Sequence, residues 1–160
     1  MNKMSNSPYI FIVEDNRFYA NILAEELQAA KFSHVETYKS GEDCLGNLSK
    51  NPDIVILDYC LGKLNGLEVL KQIKLTHPNV QVIFLSAQEK LEVAIQALKF
   101  GAYDYVEKND NAMKRVKTMI SRISNYNELL KETNELKRLK YVMAACAVVG
   151  ISLLTYFMYR

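Results

Sequence analysis

The sequence has no tryptophan, only three prolines and six glycines in 160 residues, and no internal repeat. Gly, Pro and Ser never gather into the low-complexity runs that mark linkers or disordered chains. With 49% of its residues hydrophobic, the chain can bury enough apolar surface to offset the entropy of ordering. Cysteine is scarce and irregular. Cys44, Cys60 and Cys146 fit neither a disulfide framework nor a zinc site, suit a reducing compartment, and are expected as buried small hydrophobes. A basic excess is also missing: 20 Lys and Arg face 18 Asp and Glu, a balance that carries no nucleic-acid footprint. The small surplus sits in the tail, because residues 1–127 hold 15 basic and 15 acidic side chains and residues 128–160 hold five and three. The first apolar run, Tyr9–Val13, ends at Glu14-Asp15 and is too short for the core of a signal peptide.

What is present is alternation. Tyr9–Val13, Ile54–Leu57 and Val80–Leu85 are rich in Val, Ile and aromatics and read as buried parallel strands. Val35–Tyr38 and Tyr103–Val106 are weaker and edge-like. Between them lie amphipathic stretches at Ala20–Ala30, Glu42–Leu48, Leu67–Lys74 and Leu91–Phe100. Ser40 precedes Asp43 by three residues, the spacing of a helix capping box, and Gly66 and Gly101 are expected to punctuate helix ends. Strand and helix in turn, five times between residue 9 and about residue 125, predict a doubly wound α/β domain with a parallel sheet. Residues 1–7 are expected as a disordered leader.

The fifth helix has no stop signal. From Asn111 to Arg160 there is no proline, and the only glycine is Gly150. Tyr126, Leu129, Thr133, Leu136, Lys140 and Met143 recur at alternating threes and fours, so residues 126–140 read as a solvated helical stalk or a short coiled coil. Tyr141–Tyr159 then runs without a charge. Its length predicts a membrane-spanning anchor, with Lys137, Arg138 and Lys140 on the cytoplasmic side and Cys146 with Gly150 as a small-residue pair for a homodimer. The expected location is the cytoplasmic face of a bacterial inner membrane. The tail leaves no room for a helix-turn-helix, so no nucleic-acid partner is expected.

In an open parallel sheet, ligands bind outside the carboxyl ends of the strands. Reading those ends gives Glu14 and Asp15 after the first strand, Asp58 at the third, Ser86 at the fourth and Lys108 at the fifth. Crowded carboxylates repel unless a cation or proton intervenes. Mg²⁺, a hard ion that prefers oxygen and keeps waters for phosphate, suits such a rim. Asp58 is then a nucleophile toward a phosphoryl group, Lys108 and the metal neutralise the transferring oxygens, and Ser86 donates to one of them.

These residues sit in stretches that resemble the receiver domain of two-component response regulators over roughly residues 8–125. The matching pieces are Ile10-Phe11-Ile12-Val13-Glu14-Asp15-Asn16, Asp53-Ile54-Val55-Ile56-Leu57-Asp58, Val82-Ile83-Phe84-Leu85-Ser86-Ala87 and Gly101-Ala102-Tyr103-Asp104-Tyr105-Val106-Glu107-Lys108. The resemblance implies a flavodoxin-like five-stranded sheet of order 2-1-3-4-5, an order carried over from the family. It implies that Asp58 accepts phosphate from a histidine kinase or phosphotransfer protein. Glu14, Asp15, Asp58 and the carbonyl of Cys60 would hold Mg²⁺, Ser86 and Lys108 would contact the phosphoryl group, and Tyr105 would change rotamer with Ser86. A downstream protein would read the change. The sequence departs from the family at Gly62 and Asn109, where proline is usual, and at neither place is a functional side chain lost.

Two other readings compete. A Mg²⁺-dependent phosphatase with an aspartyl-phosphate intermediate would resemble the haloacid-dehalogenase-like enzymes, but those carry a second Asp where this chain has Cys60, and their nucleophile follows the first strand. A receiver-like scaffold that works without phosphorylation is the third. His34 and His77 lack partners at ligand spacing and are read as structural.

Overall fold

A computed structural model describes residues 7–87 and 91–160, the side chains at 147–152, 154 and 157 excepted. The expected leader therefore lies outside the described residues, apart from Ser7. The strands are β1 (Ile10–Val13), β2 (Val35–Tyr38), β3 (Ile54–Asp58), β4 (Gln81–Ser86) and β5 (Asp104–Glu107). The helices are α1 (Arg17–Ala29), α2 (Gly41–Gly46), α3 (Gly66–Thr76), α4 (Leu91–Lys99) and α5 (Ala112–Met158). All pairings are parallel in the order β2-β1-β3-β4-β5, so the doubly wound, flavodoxin-like α/β fold with a long C-terminal helix is present as expected.

The central strands are apolar without interruption because both their faces are covered. Phe11, Val13, Val55, Leu57, Val82 and Phe84 point to one side, where Cys44 of α2, Leu70 and Ile73 of α3 and Val93 and Ala97 of α4 meet them. Ile10, Ile12, Ile54, Ile56, Ile83 and Leu85 point to the other, against Leu23 and Leu27 of α1 and Val116, Ile120 and Ile123 of α5. Because all five strands run parallel, every loop after a strand lies on one rim.

Local signals set the boundaries. Asn16 Oδ1 accepts from the Tyr19 amide at 3.1 Å and starts α1 three residues before the apolar stripe. Ser40 caps α2 by accepting from the Asp43 amide. The reciprocal capping box lies instead at Asn65 and Glu68, which exchange bonds of 2.9 and 3.1 Å at the start of α3. Gly66 opens that helix rather than closing one. A Cβ there would lie 2.2 Å from the Asp58 carbonyl oxygen, so only glycine lets α3 approach the loop after β3. Gly101 does terminate α4, at φ +93°.

The chain divides into two compact units, up to Ser124 and from Asn125 onward. The second unit is the remainder of α5. Here the membrane expectation is overturned: among the described residues, no helix is long and apolar enough to cross a membrane. A span needs about 20 consecutive apolar residues. The anchor at Tyr141–Tyr159, the membrane partner and the inner-membrane location fall together, and the Cys146–Gly150 pair rests partly on a residue whose side chain is outside the described set. The cysteine expectation holds only for Cys44, which is buried; Cys60 and Cys146 are exposed.

Candidate functional site

The site is built from the ends of four strands. β1 delivers Glu14, almost fully buried, followed by the exposed Asp15. β3 and β4 each run one residue beyond the expected apolar core, so that Asp58 and Ser86 are the last residues of central strands and both are buried. The Lys108 amide donates to the Ser86 carbonyl at 2.8 Å, and the Tyr59 amide to that of Leu85 at 2.9 Å. Those bonds hold the loops after β3 and β5 against β4.

Lys108 is the hub. Its Nζ donates to Glu14 Oε2 at 2.6 Å and lies 3.0 Å from Asp58 Oδ2. It also stands 4.7 Å from the centre of the Tyr19 ring, a cation–π contact supplied by the first turn of α1. Carboxylate oxygens of Glu14, Asp15 and Asp58 all lie within 4.8 Å of one another, a cluster that could hold a metal ion. Asp58 Oδ1 is buried and makes no hydrogen bond among the described residues.

The electrostatics follow from this count. Burial pushes the Asp58 carboxyl above its ordinary range, with Lys108 and the nearby amides of Cys60 and Tyr59 pulling against it. Burial likewise raises Glu14, opposed by its bond to Lys108 and reinforced by the charge of Asp58. Burial works against the charge on Lys108 too, but the bond to Glu14 and the attraction of Asp58 outweigh it, and the net shift is upward. One ammonium therefore serves an excess of carboxylate. The pocket favours a further cation or a proton, and it leaves Oδ1 of Asp58 as its unengaged nucleophilic atom. The Cys60 thiol is pushed up, first by burial and then by Asp58, so it is not an activated nucleophile.

Glu14, Asp15, Asp58 and Lys108 thus come together on the rim, with the buried Ser86 at the neighbouring strand end. Tyr105 is adjacent rather than inside: its half-buried ring stacks on Phe84, 6.3 Å between centroids. Of the two departures, Gly62 is exposed with open space around it, and Asn109 accepts from the Asn111 amide at the entrance to α5. Tyr19 was not singled out in the sequence, since an aromatic early in an amphipathic helix carries no signal of what its ring touches.

A family model of the response regulator receiver domain matches residues 10–121. The chain belongs to the response regulator receiver family. This receiver is 34% identical over 133 residues to the nitrogen assimilation regulatory protein NtrX of Azorhizobium caulinodans, covering 81% of this chain and 29% of that protein. Among solved structures it resembles the BeF3-activated receiver domain of DrrB (29% identity, TM-score 0.67, 72% of this chain and 96% of that one). It also resembles the receiver domain of NtrX from Brucella abortus (28%, TM-score 0.66, 72% and 98%). The receiver thus spans under a third of the length of the Azorhizobium relative. Membership classes it with phosphoacceptors rather than classical enzymes, and the phosphatase reading is set aside.

The buried charge predicts a stability effect. Because the native Asp58 carboxyl titrates above its unfolded value, the native state binds the proton more readily, and stability falls as pH rises from the unfolded value through the native one. Asp58→Asn removes that loss. In EDTA at pH 7 the variant should be more stable than the wild type. The gap should close as the pH is lowered toward the ordinary carboxyl range. Urea titrations at several pH values check both the sign and the window.

Proposed function

We propose that this receiver is a phosphorylation-dependent signalling protein in which Asp58 accepts a phosphoryl group from a histidine kinase or phosphotransfer protein. The observation that carries the reading is the unbonded Oδ1 of Asp58 in a buried, net-acidic pocket beside Lys108. Oδ1 would form the new bond to phosphorus as the donor's phosphorus–nitrogen bond breaks, the electron pair leaving with the imidazole. Glu14, Asp15, Asp58 and the Cys60 carbonyl would hold Mg²⁺, which when bound neutralises charge on the phosphoryl oxygens. Lys108 would exchange part of its contact with Glu14 for a phosphoryl oxygen, and Ser86 would donate to another.

The added dianion gives Ser86 and Lys108 a reason to move toward Asp58. A ligand shifts a conformational equilibrium only through differential affinity, and the elements that differ would be the end of β4, the face of α4 and the ring of Tyr105. Exposed Leu91, Ile95 and Leu98 on α4 would then be presented differently to a downstream protein. Hydrogen exchange with and without beryllofluoride and Mg²⁺ tests this. Protection should change around Ser86 and through Leu91–Lys99. Changes limited to the loop after Asp58 would contradict the switch.

A further inference from the structure

The receiver's chemistry uses nothing beyond residue 124, yet the following helix has its own pattern. No residue from 125 to 146 is buried. Tyr126, Leu129 and Leu136 are about 60% exposed, and Leu130, Leu139 and Met143 are exposed as well. In water an isolated helix gains most of its stability by packing an amphipathic face, and a contiguous exposed apolar stripe marks an interaction surface.

Taking Tyr126 as position a of a heptad, Leu129, Leu136 and Met143 fall at d, and Thr133 and Lys140 at a. Leu130 and Leu139 flank the seam at e and g. The outward positions b, c and f between Asn127 and Arg138 are polar without exception: Asn127, Glu128, Lys131, Asn134, Glu135 and Arg138. The same spacing continues in the sequence at Ala147, Gly150, Leu154 and Phe157. We propose that residues 126–143 pair with the same segment of a second copy of this chain as a parallel, in-register two-stranded coiled coil.

Charge chooses the copy and its direction. In a parallel pair the g residue of one helix faces the e residue of the next heptad in its partner, which sets Glu132 against Lys137 twice across the seam. An antiparallel pair matches g with g and e with e, bringing Glu132 toward Glu132 and Lys137 toward Lys137. Lys140 at an a position argues for two strands, because a lysine stem can lie along a dimer seam with its ammonium in water. Three strands would enclose it.

Sedimentation of the full chain across micromolar concentrations tests the pairing. The expected species has twice the 18.3 kDa chain mass, and Leu129→Glu with Leu136→Glu should weaken the dimer by at least about 100-fold. A gentler variant tests register: with Cys60→Ser and Cys146→Ser in place, Leu136→Cys should crosslink rapidly on mild oxidation, whereas Lys131→Cys at an outward position should not. A monomer throughout, a trimer, a dimer indifferent to both glutamates, or a dimer in which Leu136→Cys fails to crosslink would overturn the proposal.

Discussion

Lys108→Ala should lower the stability of the receiver in EDTA at pH 7 by about 3–4 kcal/mol, a drop in Tm of roughly 6–15 °C for a chain of this size. The side chain is the only cation bonded to the buried Glu14 and Asp58 among the described residues. Without it, the buried carboxylates of Glu14 and Asp58, with oxygens within 4.8 Å of each other, face each other with no cation between them. They cannot both stay ionised, so one must take up a proton. Protonating an ordinary carboxyl at pH 7 costs about 1.36 kcal/mol for each unit above its pKa, which sets the size of the effect. Two consequences distinguish this account from simple loss of packing. The deficit should shrink by about 1.4 kcal/mol for each unit by which the pH is lowered toward the carboxyl range. Adding Glu14→Gln to Lys108→Ala should restore most of the loss, because the partner that the missing ammonium left uncompensated is then neutral. A deficit independent of pH, or a double variant no better than the single one, would contradict it. Denaturant midpoints in a pH series read both.

Much of this was legible in the sequence because parallel sheets write themselves plainly. Uninterrupted runs such as Ile10–Val13 and Ile54–Leu57 have one physical explanation once helical stretches separate them: strands covered on both faces. The rim followed from the same fact, since the polar residue that breaks each run stands where the strand leaves the core. Where the reading missed, tertiary contact was the cause. Gly66 was read only as punctuating a helix end, and nothing in the sequence showed that its lack of a Cβ serves the close passage of α3 over the Asp58 carbonyl. Cys60 looked like a buried hydrophobe, yet the loop after β3 turns it to solvent. Tyr19 gave no sign that its ring lies beside Lys108, because the two are 89 positions apart in the sequence and meet only through the β1 and β5 loops. The tail failed differently: a charge-free run was read as a membrane span, whereas among the described residues no helix is long and apolar enough to cross a membrane.

Loss of phosphorylation is the other large effect. Asp58 is the one rim carboxylate with a buried, unbonded oxygen among the described residues, whereas Glu14 is engaged by Lys108 and Asp15 is exposed. Asn at position 58 keeps the shape of the side chain and the contact with the end of β4 while removing the nucleophile, so phosphoryl transfer should fall to background with the fold intact. Lys108→Ala keeps the nucleophile but removes the cation opposite the transferring oxygens, and should slow labelling by about 100-fold, the usual cost of losing one such donor. Asp15→Asn should raise the Mg²⁺ concentration needed for half-maximal rate while leaving the plateau closer to the wild type.

The most direct test is intact-mass and peptide-mapping mass spectrometry of the purified chain after incubation with acetyl phosphate and Mg²⁺. One phosphoryl group on the peptide that contains Asp58, absent without Mg²⁺ and absent in Asp58→Asn, is the predicted result. Labelling of the Asn variant at the wild-type rate, or a phosphoryl group mapped to any other residue, would contradict the assignment of the site.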